Sequence, residues 1–122
     1  MIAILDYDAG NIKSVEKALN HLEQETILTR DFHEILRADN VILPGVGSFG
    51  VALAHLKKYE LVRAIREVVA EKKPFLGTCL GLQLLFEASQ ETEGVAGLGI
   101  LKGQCRRLPE TEGLKLPPIG WT

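Results

Sequence analysis

A cysteine bracketed by two glycines is the part of this sequence best suited to do chemistry. Gly77, Cys79 and Gly81 form a G-x-C-x-G pattern, the cysteine version of the nucleophile elbow, a sharp turn that exposes an attacking side chain. The flanking glycines remove Cβ atoms that would clash in such a turn. A helix that begins just after the cysteine favours the thiolate, which is the nucleophilic form. An inert, buried Cys79 is the competing interpretation.

The second segment of interest is a glycine-rich loop, residues 44–50, with the sequence PGVGSFG. Its glycines spell the G-x-G-x-x-G fingerprint of dinucleotide-binding proteins. That fingerprint belongs after the first strand of its unit and needs an acidic residue ending the next strand. Here the loop follows the third predicted strand, and the acidic residue at that distance, Glu71, falls in a helix. We therefore expect the loop to present backbone N–H groups beside Cys79 as oxyanion donors, with a flexible connector as the alternative.

Short apolar strands alternating with amphipathic helices position these two loops. The predicted strands are residues 1–7, 26–29, 40–43 and 75–78. The predicted helices are residues 11–22, a short segment capped by Asp31 and Glu34, residues 49–73 with a break near 58–59, and residues 80–90. One or two further strands are predicted before residue 108. This order predicts a doubly wound, mostly parallel, three-layer α/β fold, whose ligands bind at the carboxyl ends of the strands.

Composition excludes several classes of function. The chain has 122 residues, of which 46% are hydrophobic and 25% are charged, and its formal net charge is −2. These values are typical of one globular domain and exclude disordered and fibrous proteins. The basic residues are scattered, so neither a nucleic acid nor an anionic membrane is expected as a partner. The most apolar stretch, residues 75–86, is shorter than the roughly 20 residues that span a bilayer.

The N-terminus and the cysteines indicate the compartment. Residues 1–7 have no basic leader before their apolar run and predict a strand instead of a signal peptide, so we expect a cytoplasmic protein. Cys79 and Cys105 are expected to be free thiols there. The sequence has neither a C-x-x-C motif nor paired histidines, so no metal and no cofactor are expected.

Four motifs in order carry a resemblance to a known family. They are residues 7–15 (YDAGNIKSV), 44–47 (PGVG), 77–83 (GTCLGLQ) and 118–121 (PIGW). With these motifs the chain resembles the class I (triad) glutamine amidotransferases, which have a flavodoxin-like fold. It is most similar to their glutaminase subunits of histidine biosynthesis, and the resemblance runs along the whole sequence.

The resemblance implies a reaction and residues to perform it. Cys79 would attack the side-chain amide of glutamine, form a thioester and release ammonia to a partner, a cyclase subunit built as a (β/α)8 barrel. The backbone N–H groups of Leu80 and Val46 would hold the oxyanion. The residues implied to contact the substrate are Gly45, Gly47 and Gln83. The residues implied to face the cyclase are Asn11 and Trp121.

The family also uses a His-x-Glu pair far downstream of its cysteine, with the histidine as general base. No such pair follows Cys79 in this sequence. His21 and His33 are expected on the surface, and His55 lies roughly 10 Å along its helix, so none is expected to replace that base. The sequence therefore predicts one glutaminase-type domain, residues 1–122, that is truncated at its C-terminal end. These residues alone are not expected to turn over glutamine at a useful rate.

Two other functions stay open at this point. One is a cyclase-binding module that keeps the fold but not the catalysis. The other is an elbow-cysteine protein related to small stress-response hydrolases and chaperones, which would require Asp6 or Asp8 to contact Cys79. Self-association is also expected, because a truncated sheet exposes an apolar edge.

Overall fold

A four-stranded parallel sheet is the centre of the computed structural model, which describes residues 1–8, 12–90 and 94–106. Its strands are β1 (Ile2–Leu5), β2 (Thr26–Thr29), β3 (Asn40–Leu43) and β4 (Phe75–Gly77). They lie in the order β2-β1-β3-β4, with Ala3 beside Ile27 on one side and Val41 on the other. The predicted bounds of β2 and β3 are confirmed, and β1 and β4 are shorter than predicted.

Helices connect the strands and cover both faces of the sheet. They are α1 (Ile12–His21), α2 (Phe32–Arg37), α3 (Phe49–Lys58), α4 (Leu61–Ala70) and α5 (Leu80–Leu84). The chain moves from β1 to β2 in one direction and from β2 through β3 to β4 in the other. Because such crossovers are right-handed, α1 lies on the opposite face from the helices of the later crossovers. The predicted three-layer α/β fold is confirmed.

The hydrophobic core lies on the face away from α1. Side chains alternate along each strand, so Ala3 and Leu5 point into this core together with Val41 and Leu43. The helices α2 to α5 contribute the other side of the core, and α1 contributes none of its buried members. On the α1 face, Ile4 is also fully buried. The sheet is therefore an apolar layer, and polar groups that could act on a ligand lie in the loops at the carboxyl ends of its strands.

The start of α2 shows how local sequence fixes an element. The Asp31 side chain accepts a hydrogen bond from the Glu34 backbone N–H at 3.0 Å, as the capping pattern predicts. In a full capping box the Glu34 carboxylate would accept the Asp31 backbone N–H directly, but here the Thr29 hydroxyl lies between them. Its hydroxyl accepts from the Asp31 N–H at 3.0 Å and donates to the Glu34 carboxylate at 2.9 Å. The helix thus begins shortly after β2 ends, and the backbone N–H groups of Asp31 and Glu34 both have hydrogen-bond acceptors.

The predicted helix over residues 80–90 is wrong beyond Leu84. Instead of continuing as a helix, residues 88–89 form a strand, β5 (Ala88–Ser89), that pairs in parallel with β6 (Gln104–Cys105) in a second small sheet. The Gly97 N–H donates to the Glu87 carbonyl at 2.7 Å. A Cβ atom at Gly97 would collide with the Phe86 carbonyl oxygen, so only glycine allows this approach. These contacts between distant residues outweigh the helical propensity of the segment.

Two further expectations can be compared with the structure. The predicted break in the long helix is confirmed, since α3 ends at Lys58 and α4 begins at Leu61, with Glu60 in the left-handed region at φ 57°. Within the described ranges, no helix is long and apolar enough to cross a membrane.

The outer edge of β4 is open to pairing with another chain. Among the described residues β4 pairs with β3 alone, and Leu76 on β4 is 55% exposed. Unpaired strand edges with apolar side chains template pairing with other chains, whereas lysine on an edge prevents it. We expect the chain to self-associate with rising concentration in sedimentation velocity, and Leu76→Lys to reduce that association. Val51→Lys, on an exposed position of α3, should behave as the parent chain does, and a parent chain that stays monomeric would contradict the prediction.

Candidate active site

The loops after β1, β3 and β4 meet at the carboxyl edge of the sheet. The sheet order reverses direction between β1 and β3, and such a switch point is where open α/β sheets bind ligands. The Tyr7 hydroxyl after β1 donates a hydrogen bond to the Pro44 carbonyl after β3. The Leu80 N–H after β4 donates to the Gly45 carbonyl at 3.1 Å. The structure therefore joins the glycine-rich loop to the cysteine turn, as the sequence predicts.

Cys79 occupies the strained turn between β4 and α5. Its φ of 53° and ψ of −125° are outside the regions that L-residues ordinarily adopt, and its side chain is exposed. This is the geometry of a nucleophile elbow, which stores strain in order to expose the attacking atom. The helix α5 that follows Cys79 has only five residues and is shorter than predicted.

Gly81 is required because the turn lies directly against the end of β3. A Cβ atom there would overlap the Leu43 carbonyl oxygen and would be 3.1 Å from the Pro44 carbonyl oxygen. At Gly77, a Cβ atom would be 3.0 Å from the backbone of Leu82. Both bracketing glycines thus serve close backbone approach, which is the role that the sequence pattern predicts for them.

The peptide group between Gly45 and Val46 has its carbonyl turned toward the cysteine loop. Because the Gly45 carbonyl accepts the Leu80 N–H, the N–H of Val46 points the opposite way across the same planar trans peptide. The two predicted oxyanion donors therefore do not converge on one point in this conformation. Residue types and spacing could not reveal this, since they do not fix the orientation of a peptide plane.

The other residues predicted to bind substrate lie on the glycine-rich loop and on α5. Gly47 has φ 100° and is exposed, and a Cβ atom there would meet nothing within 4 Å. Gln83 is half-buried on α5, one helical turn after Cys79. Its backbone carbonyl accepts a weak hydrogen bond from the Cys105 thiol at 3.8 Å. Asn11 and Trp121 lie outside the described residues.

A polar cluster beside the loop after β1 was not anticipated from the sequence. Arg30 lies 3.4 Å from Asp6 and 3.5 Å from Asp8, and its guanidinium stacks 3.9 Å from the centre of the Tyr59 ring. The Tyr59 hydroxyl donates to Asp8. This hydrogen bond, followed by the positive charge of Arg30, lowers the pKa of the Asp8 carboxyl from its ordinary value. Contacts among residues so distant in sequence leave no local pattern.

The three histidines and the two cysteines are the other candidates for chemistry among the described residues. His21 and His33 are exposed, and the His33 and Phe32 rings are nearly perpendicular with their centroids 5.6 Å apart. His55 is half-buried on α3. Cys79 and Cys105 are not joined by a disulfide. Within residues 1–8, 12–90 and 94–106, no cluster of three or more His, Cys, Asp and Glu side chains could hold a metal ion.

Comparison with known proteins gives a consistent result. Residues 3–115 match the family described as glutamine amidotransferase class-I. The protein named imidazole glycerol phosphate synthase subunit HisH of Bacillus cereus (strain G9842) is 52% identical over 121 residues, which are 99% of this chain and 57% of that protein. The HisH subunit of Lactiplantibacillus plantarum is 48% identical over 99% of this chain and 58% of its own length. The chain thus spans less than two thirds of these relatives.

Two solved structures share the fold. A crystal structure titled glutamine amidotransferase superimposes with a TM-score of 0.73 and 22% identity, covering 87% of this chain and 56% of that one. A putative peptidase E from Listeria monocytogenes superimposes with a TM-score of 0.64 and 14% identity, covering 82% and 62% of the two chains. At these identities both comparisons support the fold alone.

Gly81→Ala tests the close approach of the cysteine turn to β3. The added methyl group would overlap the Leu43 carbonyl oxygen, so we expect a loss of about 3 kcal/mol in the free energy of unfolding, measured with urea. Gly47→Ala is the matched control, because its positive φ is strained but its surroundings are open; it should lose only about 1 kcal/mol. Equal losses in the two variants would contradict the assigned contact.

Tyr59→Phe tests the cause of the lowered pKa of Asp8. Removing the hydroxyl should raise the pKa of Asp8 toward its ordinary value of 3.8, followed by NMR titration of the carboxyl group. A lowered pKa contributes stability that is complete above 3.8 and is lost as pH falls through the folded-state pKa. That acid-sensitive contribution should therefore shrink in the variant. Asp31, whose lowered pKa comes first from the Glu34 N–H, should titrate unchanged.

Proposed function

The chain belongs to the class-I glutamine amidotransferase family, and on that premise we propose that it carries the nucleophile and the oxyanion loop of a glutaminase. The observation that carries this proposal is the exposed, strained Cys79, held against residues 44–46 by the hydrogen bond between Leu80 and Gly45. Nucleophile and oxyanion loop are the two parts that acyl transfer from an amide must bring together.

In the proposed reaction the Cys79 thiolate attacks the side-chain amide carbon of glutamine. The carbonyl oxygen becomes an oxyanion, and its collapse breaks the carbon–nitrogen bond while the nitrogen takes up a proton and leaves as ammonia. Water then hydrolyses the thioester to glutamate. The proton transfers need a general base, which the family resemblance assigns to a His-x-Glu pair downstream of Cys79. Residues 1–122 alone are accordingly proposed to react once with an electrophile at Cys79 but not to turn over glutamine.

The oxyanion loop must change conformation for this reaction. With the Gly45 carbonyl directed at the Leu80 N–H, a negative oxygen placed there would meet an acceptor instead of two donors. Rotating the peptide group between Gly45 and Val46 removes the carbonyl and brings the Val46 N–H toward the same point. Val46 is 44% exposed and Gly47 is in open space, so the segment after Gly45 has room for that rotation.

The biological setting is part of the proposal. The relatives from Bacillus cereus and Lactiplantibacillus plantarum are named as subunits of imidazole glycerol phosphate synthase. We accordingly propose that residues 1–122 belong to a single glutaminase-type domain of a cytoplasmic protein. It would pass ammonia to a (β/α)8-barrel cyclase subunit, and Asn11 and Trp121 would face that partner.

The alternative of an elbow-cysteine stress-response protein receives less support. That alternative requires Asp6 or Asp8 to tune the thiol. Both carboxylates lie near Arg30, and Asp8 also accepts the Tyr59 hydroxyl. Both carboxylates thus have partners within the polar cluster, which favours the glutaminase interpretation.

A diazoketone analogue of glutamine tests the proposed function. The Cys79 sulfur forms a bond to the carbon that carries the diazo group, nitrogen gas leaves, and the thiol proton ends on that carbon. We expect a single adduct by intact-protein mass spectrometry, formed at least about tenfold more slowly when glutamine is added at ten times its Kd.

The chain offers a matched control in its second cysteine, Cys105, which is not in a disulfide. Cys105→Ser should be labelled like the parent chain, whereas Cys79→Ser should not be labelled. Labelling of Cys105, or labelling of Cys79 that glutamine does not slow, would contradict the proposed function. Binding of a cyclase subunit by a chain that does not react would favour the non-catalytic module.

A further inference from the structure

We propose that Tyr7 is a positioning residue for the oxyanion loop, whose hydroxyl fixes the peptide group on which the rotation at Gly45 and Val46 turns. The inference rests on the proposed function of that loop. It goes beyond it by assigning a role to a core tyrosine that does not itself reach the reacting atoms.

Tyr7 is built into the core and yet directs its one polar atom at the loop. Its side chain is 0% exposed, and its hydroxyl donates to the carbonyl of Pro44, which is itself buried. Burial also raises the pKa of the Tyr7 phenol above its ordinary value. The hydroxyl therefore keeps its proton and remains a donor over the whole physiological range.

The position of the Tyr7 hydroxyl determines where Gly45 can lie. A Cβ atom built at Gly45 would be 2.5 Å from the Tyr7 oxygen, 3.0 Å from the Gly81 nitrogen and 3.2 Å from the Leu80 Cβ. The Cα atom of Gly45 is thus confined between the tyrosine and the first residues of α5. From that place its carbonyl reaches the Leu80 N–H at 3.1 Å.

Two successive peptide groups therefore behave differently. The group between Pro44 and Gly45 is held by Tyr7, while the carbonyl of the group between Gly45 and Val46 accepts the Leu80 N–H and this second group leads into an exposed segment. When the second group rotates, the first has to remain in place for the Val46 N–H to arrive beside Leu80. Tyr7 supplies that fixed end.

Tyr7→Phe keeps the buried ring and removes only the hydroxyl. We expect the Leu80 amide to exchange with deuterium about tenfold faster, because loss of one buried hydrogen bond frees the peptide group that aims the Gly45 carbonyl. The Thr78 amide, which donates to the Leu43 carbonyl at 3.0 Å, is the internal reference and should change less than about twofold. Exchange would be followed by NMR on the full chain.

The second tyrosine provides the matched control. Tyr59→Phe also removes one phenolic hydroxyl, but from the cluster with Asp8, and should leave the Leu80 exchange rate unchanged. If Tyr7→Phe leaves Leu80 unchanged, or accelerates Leu80 and Thr78 equally, the positioning role is wrong. The parent chain supplies a second measurement that requires no variant: Leu80 must be protected like Thr78, and exchange as fast as at exposed Val46 would overturn the proposal.

Diazoketone labelling separates this inference from the function on which it rests. A parent chain that is labelled at Cys79 in the glutamine-dependent way, without the selective change at Leu80, retains the proposed function and rejects the role of Tyr7. A selective change at Leu80 in a chain whose Cys79 ignores the glutamine analogue retains the positioning role and rejects the glutaminase.

Discussion

The close approach of the cysteine turn to the end of β3 is the constraint on which the rest of the site depends. Gly81 lies so near the Leu43 carbonyl oxygen that no side chain fits between them. This contact places Cys79 and Leu80 beside residues 44–46, and the parallel pairing of Leu43 with Gly77 supports it from within the sheet. The elbow and the first two residues of the glycine-rich loop, Pro44 and Gly45, are therefore held against each other, whereas residues 46–48 are exposed.

Polar contacts at the carboxyl edge of the sheet orient the backbone groups of the loops that apolar packing brings together. The buried faces of the strands determine that the three loops emerge side by side, but apolar packing does not direct a carbonyl or an N–H. That direction comes from single hydrogen bonds, such as those of Tyr7 to Pro44 and of Leu80 to Gly45. In a similar way, Arg30 and Tyr59 fix the carboxylate of Asp8, a residue with a positive φ of 63°.

Sequence reasoning recovered the parts of this structure that depend on local chemistry. Periodicity and caps located β2, β3, the start of α2 and the break after α3, because each is decided within a few residues. The end of α5 was missed because contacts from Gly97 and from β6 compete with the helix over a long separation. The glycine pattern identified the elbow, yet the direction of the Gly45 carbonyl and the contact of Tyr7 were invisible, since each depends on a neighbour distant in sequence.

The resting position of the Gly45 carbonyl follows from the energetics of buried donors. Leu80 is only 5% exposed, and a buried N–H without an acceptor costs about 1–3 kcal/mol. An oxyanion hole that stayed open without a ligand would carry that penalty at Leu80, whereas the observed peptide orientation removes it. In the proposed glutaminase, opening the hole would therefore require free energy from something that binds the open form better, whether the developing oxyanion or a partner that contacts the exposed residues 46–48. The reactive conformation would then be coupled to binding, and the hydrogen bond between Leu80 and Gly45, which stabilises the resting turn, would suppress the reaction until such a ligand binds.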